Sequence, residues 1–148
     1  CVYKDETCVV MKYEDGSYRG IAWNAVRSRS GKDLCLNLTI PTTQSASTDA
    51  YLFLTQTVDE DTCNPLKTWH DMGEPANPAK DQIDLLKQTA RPQIRTERIA
   101  PMSESQSNIE FELNIKENGV VYFSLEQKPL HPDRGYSYER VMQYEKIR

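Results

Sequence analysis

Between residues 109 and 125 the sequence alternates so regularly that extended chain is the natural way to use it. Ile109, Phe111, Leu113 and Ile115 are interleaved with Glu110, Glu112, Asn114 and Lys116. A strand turns successive side chains to opposite faces, so this pattern gives one greasy face and one wet face. Glu117-Asn118-Gly119 follows, and Val121, Phe123 and Leu125 resume the alternation. Asn-Gly readily adopts the positive φ angles of a tight turn. The pattern predicts that these two strands pair as a hairpin.

The same reasoning finds the other strands. Residues 8–13 (CVVMKY) and 17–23 flank Asp15-Gly16, which predicts a second hairpin. Leu34, Leu36, Leu38 and Ile40 share one face of a half-buried strand that Pro41 ends. Residues 50–58 begin with apolar side chains on both faces, as a central strand does. A short strand fits near 93–99. Ile83, Leu86 and Ala90 fall at helical spacing, so residues 80–89 predict a helix, with Asn77-Pro78 as its cap and first position. Residues 59–80 hold an acidic run, Cys63, Gly73 and three prolines, and read as a long irregular connection. Such connections are uncommon in compact domains unless they are functional. The expected fold is mainly β: one antiparallel, immunoglobulin-like β-sandwich domain over residues 1–148, with one short helix in a long connection.

Charge narrows the partners. The net charge is −4 and the sequence pI about 5.2, with the basic residues scattered. A nucleic-acid binder needs a basic field to displace counterions, so no nucleic-acid partner is expected. No apolar run approaches the roughly 18 residues of a membrane-spanning helix.

The four cysteines, Cys1, Cys8, Cys35 and Cys63, show no Cys-x-x-Cys spacing. An even number outside a metal pattern suggests disulfides and an oxidising compartment. Of the three possible connectivities, Cys35–Cys63 is the favoured bridge, because both residues border strand-like runs. Cys1 has two readings. It is the lipid-bearing residue of a processed bacterial lipoprotein, or it is simply where the chain starts. A lipid there would be the one link to a membrane. The expected location is secreted or periplasmic. Asn37-Leu38-Thr39 fits a glycosylation acceptor, relevant only to a eukaryotic secretory route.

Motifs for chemistry are sparse. The two histidines are His70 and His131. In Trp69-His70-Asp71 the neighbouring carboxylate could orient the imidazole, but no Gly-x-Ser-x-Gly supplies a nucleophile. Cys63 and His70 lack a common zinc spacing, and Asp59-Glu60-Asp61 lacks the glycine and distal glutamate of a calcium loop. No cofactor or metal is expected. The long connection does set an aromatic anchor, Trp69, among Asp59, Glu60, Asp61, His70, Asp71 and Glu74. An acid-ringed aromatic suits a protein partner with a basic surface.

Leu130-His131-Pro132, followed by Tyr136 and Tyr138, resembles the entry to the penultimate strand of fibronectin type III and related immunoglobulin-like sandwiches. Cys1, the apolar run Asp33-Leu34-Cys35-Leu36 and the Pro132–Tyr136 spacing are also similar to Gram-negative envelope lipoproteins, including immunity proteins of type VI secretion. That likeness implies a non-enzymatic binding protein that neutralises a toxin or enzyme. The alternatives are a structural subunit of an envelope secretion or adhesion assembly, and a small hydrolase using His70. Exposed Trp and Tyr also admit a carbohydrate-binding role.

Overall fold

In a computed structural model, residues 1–26, 31–41, 49–99 and 108–129 are described. Eight strands and two helices occur among them, in the order β1 (Tyr3–Lys4), β2 (Cys8–Lys12), β3 (Tyr18–Trp23), β4 (Leu34–Pro41), β5 (Asp49–Val58), α1 (Pro65–Asp71), α2 (Lys80–Thr89), β6 (Ile94–Ile99), β7 (Asn108–Ile115) and β8 (Val120–Pro129). A six-stranded sheet has the order β1-β2-β3-β8-β5-β6, and a two-stranded sheet holds β4 and β7. All pairings are antiparallel. The protein is mainly β, as the alternation predicts. The predicted strands are present, and β5 is central, lying between β8 and β6.

The two sheets share one core. Cys8, Val10, Tyr18, Ala22, Val121, Phe123 and Leu125 of the larger sheet cluster with Ile40, Ile109, Phe111, Leu113 and Ile115 of the smaller. Phe111 crosses the gap, with ring centroids 4.6 Å from Phe53 and 5.5 Å from Phe123. Tyr18, buried in the same layer, donates its hydroxyl to the Pro41 carbonyl at 2.9 Å and so ties β3 to the end of β4. Burying its ring is compatible with keeping its polar tip satisfied only because that carbonyl is in reach.

The expected 109–125 hairpin is not formed. Both strands exist, but β7 pairs with β4 in one sheet while β8 pairs with β3 and β5 in the other. A tight hairpin of the mirror-image type needs positive φ at both central residues. Here Asn118 has φ 56°, and Gly119 is not in the positive region. The turn, closed by the Gly119 amide on the Lys116 carbonyl, carries the chain from one sheet to the other. Asn24 holds it there, exchanging backbone bonds with Asn118 and Gly119 at 2.8 and 3.0 Å. The Asp15-Gly16 hairpin does form, with Gly16 at φ 80°.

The immunoglobulin-like expectation also needs correction. That fold sets four strands against three; six face two among the described residues. Residues 130–138, which suggested it, lie outside the described residues. The single predicted helix becomes two. In addition to α2, residues 65–71 are helical, with Asn64 accepting from the Lys67 amide as N-cap and Pro65 at the first turn. Helix α2 starts two residues later than Asn77-Pro78 suggests. Ala79 is the cap residue, and the Gln82 side chain accepts from its amide at 2.9 Å.

Two carboxylates hold the β1–β2 and β2–β3 turns. Asp5 accepts from the Tyr3 hydroxyl and from the Thr7 and Cys8 amides. These bonds, led by the tyrosine, draw its pKa from 3.8 down to about 2. Asp15 is also lowered, chiefly by the Ser17 hydroxyl. A folded pKa below the unfolded one gives stability that is present above the unfolded value and lost as pH falls through the folded one. The Asp5 turn is therefore expected to loosen between about pH 4 and about pH 2, and the Asp15 turn only as pH falls below about 4. Amide exchange at Thr7, Cys8 and Ser17, corrected for its intrinsic pH dependence, should accelerate there, and Asp5→Asn should remove the step at Thr7 and Cys8. Loosening already at pH 6 would show that other groups hold these turns.

Candidate functional site

The chain between β5 and β6 leaves the sheet as a helical excursion, and it carries every residue predicted to meet a partner. The structure does not gather them into one surface cluster. Asp59 turns inward on its own loop, where it accepts from the Asp61 and Thr62 amides at 2.9 and 2.6 Å. Asp61 pairs with Lys116 beyond β7, which lowers the Asp61 pKa and raises that of the lysine. Glu60 is exposed, and its carbonyl accepts from the Asn64 side chain at 2.8 Å. Of the three acids, Asp61 fastens the excursion to the sheet, Asp59 shapes its own turn, and Glu60 takes part through its carbonyl.

The second group is tighter. On α1, His70 Nδ1 lies 2.6 Å from the Glu74 carboxylate, and the Trp69 and His70 ring centroids are 5.1 Å apart. The Trp69 indole donates to the Pro75 carbonyl at 3.3 Å. Asp71 does not orient His70, as the adjacent positions had suggested. It takes an ion pair with Lys67 one turn back, at 3.0 Å, because residues four apart share a helix face and neighbours do not. Gly73 and Glu74 both take positive φ as the chain leaves the helix, and that reversal brings Glu74 onto the imidazole.

The predicted Cys35–Cys63 bridge is absent: all four cysteines are free thiols. Cys35 is on the solvent face of β4, where desolvation and the nearby Glu112 raise its pKa. Cys63 follows β5 and donates to the Ala90 carbonyl at the end of α2, 3.1 Å away. Bordering a strand in sequence does not bring the two thiols together: Cys35 lies on β4 of the smaller sheet, and Cys63 in the excursion beyond β5 of the larger. Cys8 is buried in the core, and Cys1 is exposed.

Sequence reasoning missed a groove that follows from the unequal sheets. The inner face of the large sheet runs in rows: Cys8, Ala22, Val121 and Thr57; then Val10, Gly20, Phe123, Thr55 and Arg95; then Tyr18, Leu125, Phe53 and Glu97. Followed toward β6, the apolar part of each row gives way to hydroxyls and charges at β5 or β6. Among the described residues two strands do not cover six, and the strip of the inner face that they leave carries hydroxyls and charges. A cavity of about 460 Å³ opens there, with Phe53, Val121 and Leu113 as its apolar part. Thr55, Thr57, Arg95 and Glu97 line it from the large sheet, and Glu112 and Asn114 from β7. Among the described residues no hydrogen bond or ion pair engages the side chains of Thr55, Thr57, Arg95 or Glu97. The signal in the sequence was the same-face series Tyr51, Phe53, Thr55, Thr57, which changes from aromatic to hydroxyl without a change of face.

A family model described as Glycosyl hydrolases family 39 matches residues 5–107. The chain is 27% identical over 127 residues to a beta-xylosidase of Geobacillus stearothermophilus, covering 85% of this chain and 24% of that protein. It superimposes on a GH39 enzyme from Xanthomonas axonopodis pv. citri with a TM-score of 0.64 at 19% identity, covering 82% of this chain and 26% of the other. A monomeric beta-xylosidase from Caulobacter crescentus gives 0.59 at 17% identity, with 86% and 27% covered. The chain thus spans about a quarter of the length of the relatives it matches. These matches overturn the envelope-lipoprotein likeness, and with it the expectation of a non-enzymatic toxin-neutralising immunity protein. They likewise replace the fibronectin- and immunoglobulin-like assignment, and of the sequence-based alternatives they favour the hydrolase. With 103 of its 148 residues inside the family model, the chain belongs to Glycosyl hydrolases family 39.

Proposed function

We propose that the chain is a β-sandwich portion of a glycosidase that hydrolyses β-linked xylose from neutral sugar chains. The observation that carries this reading is the proportion of the match. Over four-fifths of this chain aligns with about a quarter of a beta-xylosidase. Glycoside hydrolysis commonly uses two carboxyl groups flanking the scissile bond, about 5–9.5 Å apart according to the stereochemical outcome. In this reading that pair comes from polypeptide outside the matched quarter, and the β-sandwich supports it. The helical excursion is then the side that meets its protein partner, the body of the glycosidase. Trp69 supplies a half-buried aromatic there, and His70, Asp71 and Glu74 are exposed around it.

The test is to isolate the native polypeptide that carries these residues, by antibody raised against the 148-residue chain. It is then assayed on an aryl β-xyloside. Release of the aryl group is expected, and Trp69→Ala in that polypeptide should lower kcat/KM. A native polypeptide that hydrolyses no glycoside would overturn the reading.

A further inference from the structure

We propose that the groove between β6 and β7 is a binding site for a neutral sugar chain. The inference takes its ligand class from the glycosidase reading, and its place and polarity from the groove itself. At about 460 Å³ the cavity falls within the range of roughly 300–1,000 Å³ usual for small-molecule sites. Its floor is apolar, from Phe53 and Val121, and its walls are polar. Sugars present the same division, with C–H faces and a rim of hydroxyls.

The wall chemistry is paired. A sugar hydroxyl both donates and accepts. Arg95 offers guanidinium donors only, and Glu97, two residues along the same face of β6, offers acceptors only. One hydroxyl pair can therefore accept from Arg95 and donate to Glu97. Thr55 and Thr57 add hydroxyls that do both, one of them directly beside Arg95 in the sheet. None of these four side chains has an internal partner among the described residues.

The opposite wall is the edge of β7 at residues 112–114, where Leu113 faces the core and the Asn114 amide donates to Glu112 at 2.7 Å on the solvent face. Neither β6 nor β7 pairs with a described strand on its groove side, and edge backbone groups offer further partners.

Charge selects among sugars. The lining residues include one cation, Arg95, and two acids, Glu97 and Glu112, so the lining is net acidic. That disfavours a uronate or a phosphorylated sugar and suits a neutral one.

The experiment titrates the isotopically labelled 148-residue chain with xylotriose and, separately, with glucuronate, following amide chemical shifts. Xylotriose is expected to shift Thr55, Thr57, Arg95, Glu97 and Asn114 in a saturable way, with no turnover. Removing a charge-assisted donor should weaken binding about tenfold or more, so Arg95→Ala should raise the Kd by that factor. Unchanged Phe123 and Leu125 shifts would show that this exposed substitution leaves the core intact. The proposal is overturned by an absence of shifts, by shifts confined to the helical excursion, by an unaffected Kd in Arg95→Ala, or by glucuronate binding as tightly as xylotriose. Lost binding beside intact hydrolysis by the native polypeptide sinks this site alone. Retained binding beside absent hydrolysis sinks only the glycosidase reading.

Discussion

Phe123→Ala is expected to cost about 3–5 kcal/mol of folding stability, the usual range for deleting a buried phenyl ring. The size follows from position. Phe123 is fully buried on β8, a strand flanked on both edges, and its ring lies 5.5 Å from Phe111 and 6.5 Å from Phe53. Those contacts join both sheets, so the cavity left by alanine would be walled by β3, β5 and β7 at once. Collapse around it would require the small sheet to shift, yet Tyr18 and the Asn24 bonds hold that sheet at both ends. Urea unfolding checks this: the midpoint should fall with the slope unchanged, as for a loss of stability without a change in exposed area. A cost under about 1 kcal/mol would mean that the two sheets do not share this core, because small losses belong to sites that are exposed or free to relax.

The strands were legible because burial on one face leaves a period-two record in the sequence, and β7 keeps that record without a break from Asn108 to Ile115. Pairing partners leave no such record. Ile109, Phe111, Leu113 and Ile115 would alternate identically beside β8 or beside β4, so the nearest strand and an Asn-Gly pair suggested a hairpin where the chain in fact crosses between sheets. Helix α1 was missed for a related reason. Its seven residues make only about two turns, too few for a helical stripe to stand out, and the helix is set by a cap, Asn64, and a following proline.

The site was less legible still. Arg95 and Glu97 read locally as ordinary polar residues of an edge strand. They become lining residues because, among the described residues, a two-stranded sheet does not extend over the inner face of β5 and β6, and that mismatch is a property of topology. The acids at 59–61 were conspicuous in sequence, yet two of the three are taken up by a turn and by Lys116. The favoured bridge failed likewise: Cys35 and Cys63 were matched by their neighbours in sequence, and the fold puts one on a solvent face and the other under α2.

Gly20→Ala should be the second most damaging substitution, though it adds one methyl group. A Cβ on Gly20 would stand 2.2 Å from Phe123 Cζ, 2.6 Å from its Cε1 and 2.8 Å from the Val9 carbonyl oxygen. A flexible exposed side chain could yield at such distances. Phe123 cannot, being fully buried against two other phenyl rings, and the Val9 oxygen belongs to the neighbouring strand. The glycine is there because Gly20 and Phe123 are directly opposed in the β3–β8 register and the ring lies over the gap. Overpacking a core of this kind costs about 1–3 kcal/mol, occasionally more. A double-substitution cycle isolates the cause. In a Phe123→Leu background the ring edge is gone, so the penalty of Gly20→Ala should shrink by about 0.5–3 kcal/mol, the coupling usual for residues in contact. It should not vanish, since the Val9 oxygen still opposes the methyl group. Equal penalties in the two backgrounds would show that the backbone of β2, and not Phe123, excludes every side chain at position 20.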